Sequence, residues 1–118
     1  MVEASCHCGA VRLELPEPPQ EVLECNCSIC RKLGVLWAYY PTRDVRIHAA
    51  SDATLVYVWG AGRLGFHTCK TCGCTTHWRA LAANHPRMGM NARLVEGLSK
   101  ATTPVHHLDD AGTGLFWT

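Results

Sequence analysis

The chain has 118 residues, with 11 Lys and Arg against 10 Asp and Glu and a formal net charge of +1, the size of one domain that buries roughly two-thirds of its unfolded surface. So even a balance offers no footprint for a polyanion, and nucleic acid is not an expected partner. The longest apolar stretches, around Val35 to Tyr40 and Leu55 to Trp59, fall far short of the roughly 20 residues of a membrane helix, so no membrane is expected either.

Taken in chain order, the hydrophobic rhythm is that of strands. Val11-Arg12-Leu13-Glu14-Leu15 alternates apolar and polar residues as a half-buried strand does, and Pro16-Glu17-Pro18-Pro19 stops it. Glu21 to Glu24 is a second extended piece, and Leu23 to Leu33 has room for one helical turn, which Gly34 ends. Val35 to Tyr40 is rich in β-formers and stops at Pro41; Val45 to Ala49 is a shorter strand. Thr54-Leu55-Val56-Tyr57-Val58-Trp59 carries the strongest strand signal. Gly60-Ala61-Gly62 then turns the chain, and Arg63 to Thr68 returns as the hairpin partner. Thr75 to Ala80, Met88 to Val95 and Val105 to Leu108 complete the set. No segment sustains a 3.6-residue period over three turns. The prediction is therefore a mainly β fold, a single small antiparallel β domain over residues 1–118 with little helix and with zinc sites at the ends of its hairpins. Trp37, Tyr39, Tyr40, Tyr57, Trp59 and Trp78 fall on strand positions that point to the core, with one or two available to line a pocket.

The eight cysteines fall in three clusters, Cys6-His7-Cys8, Cys25-Asn26-Cys27-Ser28-Ile29-Cys30 and Cys69-Lys70-Thr71-Cys72-Gly73-Cys74. A tetrahedral Zn²⁺ with Zn–S bonds of about 2.3 Å holds its sulfurs about 3.8 Å apart, a separation that thiolates one or two residues apart can meet. A disulfide needs Cα atoms about 4.4–6.8 Å apart and a near-perpendicular torsion, so Cys6 and Cys8 would be strained partners. Met1-Val2-Glu3-Ala4-Ser5 shows no secretory leader, so the expected location is cytoplasmic, where thiols stay reduced and patterned cysteines serve as ligands or catalysts. Zinc is the expected metal, ahead of an iron–sulfur cluster or a disulfide framework. Spacing alone leaves open which cysteines share an ion.

Around these clusters stand several ambiguous residues. Arg31 and Lys32 form either a solvated turn or a cationic flank to a zinc–thiolate centre. His67 and His77 flank the third cluster and are candidates for proton transfer or for hydrogen bonds to ligands. His7 is expected to point away from any ion between Cys6 and Cys8, and His106-His107 matches no ligand motif. Cys74 is the odd cysteine: a fourth ligand to the second cluster, a free thiol or a small buried residue.

The runs Cys6-His7-Cys8-Gly9-Ala10-Val11, Cys25-Asn26-Cys27-Ser28-Ile29-Cys30-Arg31-Lys32-Leu33-Gly34 and Phe66-His67-Thr68-Cys69-Lys70-Thr71-Cys72-Gly73 resemble the glutathione-dependent formaldehyde-activating enzyme family, which includes centromere protein V. Met90-Asn91-Ala92-Arg93-Leu94 fits the family's tail, and the resemblance runs from about residue 3 to 108. It implies a zinc-stapled β fold of the Mss4-like kind and two zinc ions. Cys6, Cys8, Cys69 and Cys72 would hold a closed structural ion; Cys25, Cys27 and Cys30 would hold a catalytic ion with an open position, an arrangement that suits exchangeable chemistry. It further implies a carbon–sulfur lyase acting on a small thiol such as glutathione and a small aldehyde such as formaldehyde, through S-hydroxymethylglutathione. Two other classes of function stay open: a non-catalytic zinc module for protein or nucleic-acid binding, and a thiol or metal sensor built on Cys25, Cys27 and Cys30.

Overall fold

The computed structural model describes residues 2–59, 62–82, 85–98, 103–109 and 115–117, so Gly60 and Ala61 of the expected turn lie outside the described residues. Its strands are β1 (Val2–Ser5), β2 (Arg12–Leu15), β3 (Val22–Cys25), β4 (Trp37–Pro41), β5 (Arg46–His48), β6 (Thr54–Trp59), β7 (Leu64–Cys69), β8 (Thr75–Ala80), β9 (Arg87–Asn91), β10 (Val105–Asp109) and β11 (Leu115–Trp117). One short helix, α1 (Ser28–Leu33), interrupts them and stops where Gly34 turns left-handed, its amide donating to the Cys30 carbonyl. The expected strand from Met88 to Val95 ends earlier, because Ala92–Leu94 wind into a 3₁₀ turn capped by the Asn91 side chain. Pro41 continues β4 instead of ending it, opposite Arg87.

Two sheets result. A three-stranded one runs β1-β2-β5, and an eight-stranded one runs β11-β10-β3-β4-β9-β8-β7-β6. One pairing departs from the antiparallel expectation: β10 lies parallel to β3. The segment from the end of β9 to the start of β10, residues 92–104, has the dozen or so residues that a parallel return requires.

The large sheet does different work on its two faces, and period-two alternation decides which residue goes where. Ala38 and Tyr40 of β4 and Met88 and Met90 of β9 point to one face, where they meet Leu13 and Leu15 of the small sheet and form the main core. Trp37 points to the other face, with Phe66, Trp78, Cys25 and Cys30. On this second face Tyr39, Gly89, Trp78, Phe66 and Tyr57 stand directly opposite one another across five strands, so they form one continuous row. Gly89 is the gap in that row: a Cβ there would overlap the Trp78 indole, which lies edge-on to Tyr39 with ring centroids 6.2 Å apart.

Three of the aromatic residues expected in the core are not buried. Tyr39, Tyr57 and Trp59 are 37, 54 and 39% exposed. For Tyr57 and Trp59 the cause is topological: β6 is the edge strand of the large sheet, paired to β7 on one side, and no layer covers its faces among the described residues. Leu55, Val56 and Val58 are exposed with them.

Candidate metal centres

The first centre is built by two chain reversals. Cys6 follows β1 and Cys8 sits in the turn that leads to β2; the Cys6 amide donates to the Val11 carbonyl at 3.0 Å, and the Val11 amide donates to Cys6 Sγ at 3.3 Å. Cys69 ends β7 and Cys72 lies in the turn to β8, closed by the Cys69 amide on the Cys74 carbonyl at 2.9 Å and the Gly73 amide on the Cys69 carbonyl at 2.9 Å. The two reversals face each other, and the sulfurs of Cys6 and Cys8 stand 3.7 Å apart, those of Cys8 and Cys69 3.6 Å apart. Those separations match the edge of a zinc–thiolate tetrahedron, about 3.8 Å. The amides of Cys74 and Cys8 hold the Cys72 thiol down at about 5, and those of Cys72 and Thr71 lower Cys69. At Cys8 the Ala10 amide is outweighed by desolvation and by the sulfurs of Cys69, Cys6 and Cys72, which push that thiol up to about 11; four thiols converging in this way fit a structural metal ion, which would bind them as thiolates.

The second centre sits on the opposite face of the large sheet. Cys25 ends β3, Cys27 precedes α1 and Cys30 lies within α1, whose hydrogen bond from the Arg31 amide to the Cys27 carbonyl folds the loop back on itself. The three Sγ atoms lie within 4.8 Å of one another. Burial pushes the Cys25 thiol up to about 11 and Cys30 up further, although the Trp37 indole N–H donates to Cys30 Sγ at 3.3 Å. The donor set fits zinc, and it is three thiols, one fewer than a closed tetrahedral site uses.

Two cavities meet at this triad. One, of about 180 Å³, is bounded by all three cysteines and by Trp37, Tyr39, Trp59, Phe66 and Trp78, with Leu23, Ile29, Leu64 and Leu108 completing the wall. The other, of about 320 Å³, shares Cys25 and Cys30 and is lined also by the charged or polar residues Glu24, Asn26, Arg31 and Arg93, with Gly34 and Val35. Arg93 is held there by its Nε–H on the Gly34 carbonyl at 3.0 Å. Nothing in the sequence beyond the Met90-to-Leu94 run had pointed to Arg93, because its place depends on a 3₁₀ turn meeting the end of α1.

The ambiguous residues resolve by position. Cys74 sits beside Cys72 and packs against the main core, so it does not join the triad. Arg31 lines the cavity that holds Arg93, whereas Lys32 is exposed and does not. His67 and His77 stack on each other with centroids 4.2 Å apart, and their Nδ1 atoms bond Thr54 Oγ1 and Thr76 Oγ1. Neither lines the two cavities at the triad. Burial, the neighbouring His67 and Arg79 lower His77 to about 3, so the ring is neutral near pH 7. His7 is exposed, and His106 and His107 pair with Glu21 and Glu24 at the surface.

Fold and site together define a mainly β protein with two separate thiolate clusters, each able to hold a metal ion. The family model for glutathione-dependent formaldehyde-activating enzymes matches residues 1–108, and the chain belongs to that family. A Halomonas elongata protein, provisionally named a glutathione-dependent formaldehyde-activating enzyme, is 35% identical over 77 residues; the match covers 64% of this chain and 45% of that protein, so the chain spans less than half of that relative's length. A crystal structure of a Rhodobacter sphaeroides protein is similar with a TM-score of 0.71 at 29% identity, covering 87% of this chain and 98% of that one. No described helix is long and apolar enough to cross a membrane.

Proposed function

We propose that the protein catalyses the reversible addition of an anionic thiol such as glutathione to a small aldehyde, a carbon–sulfur lyase reaction, at Cys25, Cys27 and Cys30. In this reading Cys6, Cys8, Cys69 and Cys72 hold a structural zinc and the triad holds a catalytic one. The observation that carries it is the position of three convergent thiols where a cavity with charged residues in its lining meets one walled by aromatic rings. Zinc bound by such a set supplies a thiolate nucleophile at neutral pH by depressing the pKa of a bound thiol.

The remaining roles belong to the chain itself. Arg31 and Arg93 in the lining of the first of these attract and orient the carboxylates of the thiol, as guanidinium groups do. The apolar side receives the carbonyl. Among the described residues, Tyr39 carries the only hydroxyl on that wall; burial raises its pKa, with Arg87 opposing and the three thiols adding to the rise, so it stays protonated and can donate a hydrogen bond to the carbonyl oxygen as charge develops there.

Exchange NMR on zinc-replete protein tests the reading. Glutathione and formaldehyde should interconvert with S-hydroxymethylglutathione faster than without protein, and Cys27→Ser should abolish the gain. An unchanged exchange rate in protein that holds two zinc ions would contradict the proposal.

A further inference from the structure

The apolar cavity at the triad is too large and too greasy for a one-carbon carbonyl. From its shape and lining we infer that the carbonyl partner of this chain is an apolar, ring-sized aldehyde of the benzaldehyde kind, an inference that rests on the thiol–aldehyde reading above and specifies its substrate.

Three observations carry it. The first is volume: about 180 Å³ compares with the roughly 150 Å³ of an apolar protein cavity that accommodates benzene. Even after the metal ion and the sulfur of the bound thiol take their share, formaldehyde, with two heavy atoms, would leave part of that space to water lying against ring faces. The second is chemistry: apart from the thiols and the Tyr39 hydroxyl, no ionisable group among the described residues lines the cavity. The Arg87 guanidinium lies over the Tyr39 ring, 4.6 Å from its centroid, and lines a neighbouring cavity of about 340 Å³ with Glu21 and His106. Charged parts of a substrate have places on either side, and this space has none for them. The third is construction. Trp78 lies as it does because position 89 is glycine, and Trp37 is fixed by its N–H on Cys30 Sγ and by Phe66, whose ring is 5.9 Å away and tilted by 47°. Rings held at such angles offer faces and edges to an aromatic guest.

The reaction stays balanced for such a substrate. The sulfur electron pair forms the C–S bond, the C=O π pair moves to oxygen, and the proton released by the thiol ends on that oxygen to give a hemithioacetal. Nothing is oxidised or reduced.

The test compares benzaldehyde with formaldehyde on zinc-replete full-length protein, with glutathione as thiol. Exchange NMR should give a half-saturating concentration at least tenfold lower for benzaldehyde, and benzaldehyde without thiol should quench tryptophan fluorescence saturably. Trp59→Ala, at a partly exposed edge position that should tolerate the change, should weaken that binding at least fivefold. Ile29→Phe, which narrows the cavity from the helix side, should weaken it as well. If formaldehyde is turned over and benzaldehyde neither binds nor competes, the inference fails while the thiol–aldehyde reading stands. If benzaldehyde binds but no thiol–aldehyde pair is turned over, the reading fails, and the role of this cavity as a carbonyl site fails with it.

Discussion

The quartet and the triad use the same ligand atom in different surroundings. In the quartet, backbone amides converge on Cys69 and Cys72 and favour the thiolate, while at Cys8 the Ala10 amide is outweighed by desolvation and neighbouring sulfurs. At Cys25 and Cys30 burial opposes the thiolate, and the amide of Cys27 and the indole of Trp37 offset only part of that cost. The quartet also ties distant pieces of chain together, the start of the small sheet to the turn after β7, whereas the triad lies within six consecutive residues. Closing a link between distant segments restricts the unfolded chain far more than closing a short loop does. On the proposed reading, one cluster holds the fold and the other meets a ligand.

The largest effect that could break this division is loss of a quartet ligand. Cys72→Ser should unfold or aggregate the protein, because a structural zinc contributes on the order of 10 kcal/mol to folding of small metal domains. Cys27→Ser should keep near-native far-UV circular dichroism with reduced zinc content. Equal loss of structure in both variants would erase the difference between the clusters.

Next in size is a change that touches only the triad's side of the sheet. Gly89→Ala drives a methyl into the Trp78 indole and should cost about 1–3 kcal/mol in urea unfolding, the usual penalty for overpacking. It should also displace the aromatic wall and weaken aldehyde binding, with zinc content unchanged.

Acid should lower stability through His77, which lines neither cavity at the triad. Its folded pKa, about 3, is below the ordinary 6.5, so between those values the unfolded chain takes up a proton that the native state does not. Stability is thus intact above pH 6.5 and falls as pH drops, by about 2 kcal/mol between pH 6.5 and 5 from this group. His77→Gln should flatten that slope in urea titrations at fixed zinc; an unchanged slope would show that other groups set it.

The smallest expected effect is at the cavity lined by Arg31 and Arg93. Arg93→Gln should raise KM for glutathione several-fold, equivalent to about 1 kcal/mol for an exposed charge-assisted contact. KM for a neutral thiol should stay unchanged; an equal rise for both thiols would assign Arg93 to structure alone.

Much of this molecule was legible in the order of its residues. Period-two alternation and turn residues placed most of the strands, because those signals act over a few neighbours. The clusters marked the metal centres for the same reason. Sheet order is a matter of distant pairing, and there local signals failed. Thr54–Trp59 is as apolar as a central strand and turned out to be an edge. Val2–Ser5 is short and gave no usable pattern, yet it pairs with β2 and buries Ala4. Gly89 read as one more small residue, since its meaning lies in an indole 11 positions away. The partition of cysteines into quartet and triad came from family resemblance, and the sulfur positions bring together the same two groups.

The most direct test of the central claim, one closed centre and one open, is cobalt substitution. Protein with Co²⁺ in both clusters should show the visible bands of tetrahedral thiolate coordination. Added glutathione should shift only the component that Cys27→Ser removes, leaving the quartet's bands in place. A spectrum that glutathione leaves wholly unchanged, or one in which both components shift, would contradict the account.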